Sequence, residues 1–219
     1  MQGIGVPEPQ LALDKIKIVE NGDPLVDIRT ITGITFRTTP GHEVTPFLRA
    51  PVAEMLRKAS LLIDPEFRLH VFSAHRDLTM QKAIWDRHYD RYKLAHPEWP
   101  EHMLRRMVNR YVAPIDHPAP PGHSTGAAVD VVLQRHDGSF VDVIPPDIDD
   151  WSFSHTWTTK IDPVTRGYRM HLVEAMLSVG FSNCRDEYWH YSWGDSGWAV
   201  RVGETQCPYG AIDAPEGWK

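Results

Sequence analysis

Four side chains in two distant stretches of the sequence have the chemistry of a metal centre with a proton acceptor beside it. His123 and Asp130 lie in one stretch, and Glu187 and His190 lie in the other. Two imidazoles and one carboxylate make a three-ligand zinc set, and a catalytic zinc site keeps a fourth position for water or substrate. The second carboxylate, on Glu187, would be left to handle protons.

Asp130 provides the best argument for a ligand role from the sequence alone. It interrupts the apolar run 127–133, which predicts a buried strand with one ionisable group. A lone buried carboxylate costs several kcal/mol unless it is paired or bound to a cation. Gly126 stands between His123 and Asp130 and gives the backbone the freedom to bring the two side chains together.

The spacing of these residues also leaves structural roles open. An ideal strand would send Glu187 and His190 to opposite faces, so a twist, a bulge or a strand end is required if both face one site. Asp130 could be a turn or hydrogen-bonding carboxylate, His123 a surface group of a loop, and His190 a core histidine bonded to a backbone carbonyl. Because the chain has 12 histidines, the pairing can also arise by chance.

The composition is that of an ordinary soluble globule. The 219 residues suffice for one domain with a sizeable core, and the net charge of −6 argues against nucleic acid as a partner. No stretch is long and apolar enough to span a membrane, and Met1–Gln10 lacks the pattern of a secretory signal. The two cysteines form no CxxC pair. We therefore expect a cytoplasmic protein, and its oligomeric state stays open.

The candidate residues must be positioned by a small sheet and several helices. Residues 1–30, with three prolines, are expected to form an extended N-terminal arm of the same domain, and residues 31–219 are expected to form the domain itself. Periodicity predicts strands at 31–36, 67–72, 127–133 and 188–193 and helices at 47–63, 78–94, 104–111 and 163–179. The strand at 67–72 would deliver the stretch 73–77, with Arg76, to its end. Asp77 could cap the helix at 78–94, and Pro163 could stand in the first turn of the final helix.

Four stretches occur in an order and spacing that is typical of one enzyme family. Residues 123–130 read HSTGAAVD, as in an HxxGxAxD segment, and residues 187–191 read EYWHY, as in an E-x-W-H-[YF] segment. Residues 73–77 and 47–54 match two further segments, of which the first precedes a helix and carries an essential arginine. Over about residues 30–200 the chain thus resembles the zinc D-Ala-D-Ala dipeptidases of the VanX type and the related zinc D-Ala-D-Ala carboxypeptidases.

The resemblance implies a role for each matching residue. It makes His123, Asp130 and His190 the ligands of one Zn²⁺ per chain, Glu187 the catalytic base and Arg76 the stabiliser of the transition state. The family also has an aspartate that holds the substrate's ammonium group. The resemblance places this role on Asp149, in an acidic loop where Asp147 and Asp150 are rivals and where a solvated loop is the structural alternative.

The chain departs from the family pattern where substrate is bound. The family commonly has a serine two residues before the first histidine, where this chain has Pro121. His75 and Asp77 stand on either side of Arg76, where the family often has an aromatic residue and a proline. These departures leave the metal chemistry intact and put the preference for D-Ala-D-Ala in doubt.

We therefore expect an α+β fold, in which helices pack on a small, mostly antiparallel sheet in a single domain with a central zinc cleft. The expected activity is hydrolysis of D-Ala-D-Ala or a similar small dipeptide with D-residues. One alternative is a zinc D,D-carboxypeptidase or endopeptidase that acts on peptidoglycan peptides. A second, from another class, is a non-catalytic zinc- or peptide-binding module, which would have no need for Glu187 and Arg76.

Overall fold

The computed structural model describes residues 6–37, 44–142 and 150–218, in which helices surround a five-stranded sheet. The helices are α1 (Gln10–Leu13), α2 (Ala50–Ser60), α3 (Leu78–Ala95), α4 (Glu101–Val108), α5 (Pro163–Ser178) and α6 (Ser196–Val202). The strands are β1 (Lys17–Ile18), β2 (Leu25–Asp27), β3 (Ile34–Phe36), β4 (Phe47–Arg49), β5 (Phe67–Ser73), β6 (Ala128–Arg135), β7 (Ser182–Asn183), β8 (His190–Ser192) and β9 (Gln206–Cys207).

The central sheet has the strand order β3-β5-β6-β8-β7. β3 and β5 are parallel, and the other three pairs are antiparallel. Two short additional sheets pair β1 with β9 and β2 with β4. The expected α+β fold with a mostly antiparallel sheet is confirmed.

The two faces of β6 have different surroundings, because successive side chains of a strand point to opposite sides. Val129, Val131 and Leu133 belong to the main hydrophobic core, which also contains buried residues of α2 and α5. Asp130 alternates with them and therefore projects from the other face of the sheet. A smaller apolar cluster around Ile84 and Val108 joins α3 to α4.

The segment expected to be an extended arm contains short elements that join it to the rest of the chain. α1 lies within it, β1 pairs with β9 and β2 pairs with β4. The pairing with β2 makes residues 47–49 a strand, so the helix expected from residue 47 begins at Ala50. The division of the chain at residue 30 stays a prediction.

The start signals expected for α3 and α5 are confirmed, and the structure contains one further helix that was not expected. The Asp77 carboxylate accepts a hydrogen bond from the Met80 N–H at 2.8 Å and caps α3, as expected. Pro163 stands in the first turn of α5, which was expected to be the final helix. That expectation was wrong, because α6 follows, capped by Asp195 and ended by Gly203 in the left-handed conformation. None of the helices in the described ranges combines the length and the apolar character that crossing a bilayer requires.

Candidate active site

His123, Asp130 and His190 meet at one point in the structure. Each offers one ligand atom, and the three atoms all lie within 4.8 Å of one another. Asp130 lies between the two imidazoles, with Oδ2 3.2 Å from His123 Nε2 and Oδ1 2.9 Å from His190 Nδ1. The set of three residues implied by the sequence is thus brought together from distant parts of the chain.

His123 is held by a short 3-10 turn, Gly122–Thr125, that leads into β6. Gly126 ends the turn with a φ of 69°, and a Cβ there would lie 2.5 Å from the Leu25 side chain. Arg49 supports the turn: its Nε donates to the Thr125 carbonyl oxygen at 2.9 Å, and its backbone N–H donates to that of Gly126 at 2.8 Å. The turn and the start of β6 therefore require glycine at position 126.

The backbone also determines which nitrogen of His123 faces Asp130. His123 Nδ1 lies 2.7 Å from the Ala74 carbonyl oxygen, which can only accept, so Nδ1 carries the proton and donates it. Nε2 then turns a lone pair toward Asp130. A hydrogen bond of this kind, from the second ring nitrogen to a carbonyl, is how proteins orient histidine ligands of metals.

These three residues fit a zinc ion. Burial lowers the pKa of His123 to about 4, although the charge of Asp130 opposes the shift, so the imidazole is neutral near pH 7. Its lone pair therefore faces an ionised carboxylate oxygen with no proton between the two atoms, an unfavourable contact that a cation would relieve. Distances of 2.9 and 3.2 Å are close to the roughly 3.3 Å that separates two ligands of a tetrahedral zinc.

The hydrogen bond between Asp130 and His190 shifts the pKa values of both groups. Burial raises the pKa of Asp130, but at low pH, where both imidazoles are protonated, the charge and hydrogen bond of His123, together with those of His190, hold it well below its ordinary value. Burial lowers the pKa of His190, but its hydrogen bond with Asp130 and the charge of that carboxylate raise it overall. The centre thus contains a permanently ionised carboxylate, which suits a divalent cation.

Glu187 lies in a turn directly before β8, and not in the strand that was expected to carry it. The His190 N–H donates to the Glu187 carbonyl oxygen at 3.1 Å, so the chain folds back by one turn between the two residues. Both side chains therefore line the same cavity although they are three residues apart. Burial raises the pKa of Glu187 to about 7, and the negative charge of Asp130 contributes to the rise, against the positive charges of His190 and Arg76.

A buried ion pair packs against Tyr188, the residue that follows Glu187 in the turn. Arg169 donates to both carboxylate oxygens of Asp142, at 2.7 and 2.9 Å, and its guanidinium lies 3.9 Å from the centre of the Tyr188 ring. The Tyr188 hydroxyl donates to the Asp142 carbonyl oxygen at 2.7 Å. These contacts fix the residue next to Glu187 and so limit how far the Glu187 side chain can move.

Arg76 follows β5 and lies in the same cavity, where its charge faces two carboxylates. Burial lowers the pKa of Arg76, and the charges of Asp130 and Glu187 oppose the shift. Within the described part of the chain its Nε has no hydrogen-bond partner. A buried guanidinium N–H without a partner is available to a ligand, because an unmade hydrogen bond at such a group is costly.

The cavity that contains these residues has a volume of about 570 Å³, within the range of small-molecule sites. Trp151, Trp189 and Pro121 also line the cavity. Asp149, the expected partner of a substrate ammonium group, lies outside the described residues.

The interpretation of the sequence missed Ser73 and Gln81, which line the cavity and are buried. Ser73 Oγ and Gln81 Oε1 have no hydrogen-bond partner among residues 6–37, 44–142 and 150–218. Their position was accessible from the sequence, because Ser73 directly follows a predicted strand and Gln81 stands one turn into the predicted helix after Arg76.

Comparison with known proteins identifies relatives over most of the chain. The model of the Peptidase_M15 family, described as D-ala-D-ala dipeptidase, matches residues 48–208. A protein of Synechocystis sp. named D-alanyl-D-alanine dipeptidase is 28% identical over 224 residues, which cover 88% of this chain and 89% of that protein.

Among solved structures the chain is similar to two peptidases. One is the LdcB LD-carboxypeptidase, with a TM-score of 0.47 and 16% identity over 85% of this chain and 76% of that one. The other is the D,D-pentapeptidase VanY in complex with Zn(II), with a TM-score of 0.47 and 14% identity over 87% and 96% of the two chains. The family model covers well over half of the chain, and we conclude that the chain is a metallopeptidase of the Peptidase_M15 (D-ala-D-ala dipeptidase) family.

Proposed function

We propose that this enzyme is a zinc-dependent dipeptidase that hydrolyses D-Ala-D-Ala or a similar small dipeptide with D-residues. The observation that carries the proposal is the convergence of five side chains in one cavity: His123, Asp130, His190, Glu187 and Arg76. Family membership and the Synechocystis relative support the same substrate class.

In this proposal His123, Asp130 and His190 hold one zinc ion per chain. Zinc bound there would lower the pKa of a water molecule and polarise the peptide carbonyl group. Three protein ligands would leave a coordination position for water or substrate, as catalytic zinc sites require. The neutral state of His123 and the ionised state of Asp130 support this assignment, because both are the protonation states of metal ligands.

Glu187 is the proposed general base and general acid. Its carboxylate accepts a proton from the attacking water and later donates a proton to the amino group that leaves. A pKa raised to about 7 suits both steps, because a group with a pKa near the working pH is a competent acceptor and a competent donor. The Asp142–Arg169 pair packs against Tyr188, next to Glu187, and so limits movement of the Glu187 carboxylate.

Arg76 is the proposed stabiliser of negative charge that develops on the carbonyl oxygen. Its guanidinium cannot lose a proton in a protein, so its charge persists through the reaction. A preorganised donor in a buried site stabilises such charge more strongly than water does. Arg76 Nε, which has no hydrogen-bond partner among the described residues, supports this role.

The substrate's two ends require separate partners. Asp149 remains the proposed partner of the ammonium group. Pro121 supplies no hydroxyl where the family commonly has a serine. Ser73 lies in the same cavity, and its Oγ has no hydrogen-bond partner in the described part of the chain, so Ser73 is our candidate for the missing donor. The cytoplasmic location stays a prediction, and the oligomeric state stays open.

A panel of dipeptides tests the proposal. The zinc-loaded protein should hydrolyse D-Ala-D-Ala faster than the L,D- and L,L-isomers, and chelation should abolish the activity, with recovery on adding zinc. Failure to hydrolyse any D,D-dipeptide when one zinc is bound per chain would contradict the proposed substrate class.

A further inference from the structure

A segment near the N-terminus runs along the edge of the cavity. We refer to residues 6–14, which include α1, as the strap. Four of its residues line the cavity that also contains Glu187 and His190: Val6, Glu8, Gln10 and Leu13. The strap is therefore part of the cavity wall, although Glu187 and His190 lie near the other end of the chain.

Glu8 anchors the strap to α6. Glu8 Oε1 lies 2.7 Å from Nη1 of Arg201, whose side chain is fully buried. Arg201 Nε donates to Ser182 Oγ at 2.9 Å, and Nη2 donates to Ser192 Oγ. A buried guanidinium needs a carboxylate partner to offset its desolvation, and Glu8 provides one for Arg201.

Asp14 anchors the other end of the strap to the proline-rich loop 114–121. Asp14 Oδ2 lies 3.0 Å from His117 Nδ1, and Oδ1 accepts a hydrogen bond from the Ala119 N–H at 3.3 Å. Gln10 Nε2 donates to the same carboxylate at 2.9 Å, within the strap. Ala119 and the α6 residue Gly197 both line the cavity, so both anchors of the strap lie at the cavity wall.

The strap has few other attachments. None of residues 6–14 is buried, and Leu11 is 77% exposed. A segment that is held by polar contacts at its two ends, without core packing, belongs to the part of a protein that opens most easily. Removing one anchor should therefore loosen the strap and leave the core intact.

We propose that the strap sets the length of peptide that the enzyme accepts, by closing the cavity against substrates longer than a dipeptide. This inference rests on the proposed function. It names the residues that would restrict the enzyme to dipeptides and exclude the longer substrates of a carboxypeptidase. A wall that collides with an additional residue of a longer peptide discriminates against that peptide without any contact to the dipeptide itself.

The experiment compares D-Ala-D-Ala with two tripeptides, one extended at the amino end and one at the carboxyl end. Asp14→Asn and Glu8→Gln each remove one anchor, and Asp14→Asn does so without leaving a buried charge unpaired. We expect each variant to raise the ratio of kcat/KM for one tripeptide to that for the dipeptide by about tenfold. The matched control is Glu54→Gln, which breaks an exposed ion pair with Arg57 away from the cavity and should leave the ratio unchanged.

Binding distinguishes failure of the strap from failure of the proposed activity. Tripeptide affinity is measured by tryptophan fluorescence in the zinc-loaded Glu187→Gln background, with and without Asp14→Asn. Tighter tripeptide binding in the Asp14→Asn variant supports the strap even if the wild type hydrolyses none of the peptides. If both folded anchor variants keep the wild-type kcat/KM ratio and the wild-type tripeptide affinity, the proposal is wrong.

Discussion

Asp130 and His190 are direct partners across the β6–β8 ladder, and their side chains meet with Asp130 Oδ1 2.9 Å from His190 Nδ1. The pairing of two antiparallel strands thus determines the position of two candidate zinc ligands. The third, His123, comes from the turn that precedes β6, where Gly126 returns the chain toward the sheet. The geometry of the candidate metal centre is consequently determined by sheet register and one glycine turn.

Replacing Glu187 should separate catalysis from metal binding. Glu187→Gln removes the proton acceptor and leaves the three candidate ligands in place, so we expect a fall in kcat by a factor of about 10²–10⁴. Zinc content, measured by elemental analysis, should stay at the wild-type level. The control is Glu174→Gln, at an exposed position on α5. Wild-type turnover in the Glu187→Gln variant would exclude Glu187 as the base.

Gly126→Ala should destabilise the fold more than an alanine at another glycine of positive φ. At position 126 the new methyl group meets the Leu25 side chain, whereas at Gly138, with a φ of 91°, nothing lies within 4 Å. Both variants carry the backbone strain, of about 1–2 kcal/mol, but only Gly126→Ala adds the steric overlap. Urea unfolding of the metal-free proteins gives the two free energies of unfolding. Equal losses would contradict the described turn.

Acidification should destabilise the protein because of His75, a buried residue next to Arg76 in the chain. Its Nε2–H donates to the Ile212 carbonyl oxygen at 2.8 Å, and burial lowers its pKa although that hydrogen bond opposes the shift. The unfolded chain then binds the proton more readily, so the contribution of His75 is complete above a pH of about 6.5 and is lost as the pH falls further.

Metal-free wild type and His75→Gln provide the comparison. Between about pH 7.5 and about pH 5.5 the free energy of unfolding should fall less in His75→Gln than in the wild type. The same fall in both proteins would show that His75 is not the titrating group.

Much of the site could be predicted because its signals are local. An apolar run interrupted by a carboxylate predicted the buried strand that carries Asp130, and Asp77 before a helical pattern predicted the cap of α3. The ligand role of Asp130 stays a prediction. The position of Glu187 was harder to predict, because the turn before β8 depends on contacts of Tyr188 with Asp142 and Arg169, which belong to remote segments.

Other features have no local signal. α6 has only seven residues, and although Asp195 and Gly203 mark its ends, seven residues give little helical periodicity to detect. The contact between Glu8 and Arg201 joins the two ends of the chain, and nothing in the composition of either segment indicates the other. Such pairs are determined by the packing of the whole domain.

A crystal structure of the zinc-loaded protein, with anomalous scattering measured at the zinc edge, tests the central claim most directly. The account predicts one zinc per chain, bound by His123, Asp130 and His190, with solvent in the remaining position. Zinc at another place, or zinc closed off by a fourth protein ligand, would contradict it.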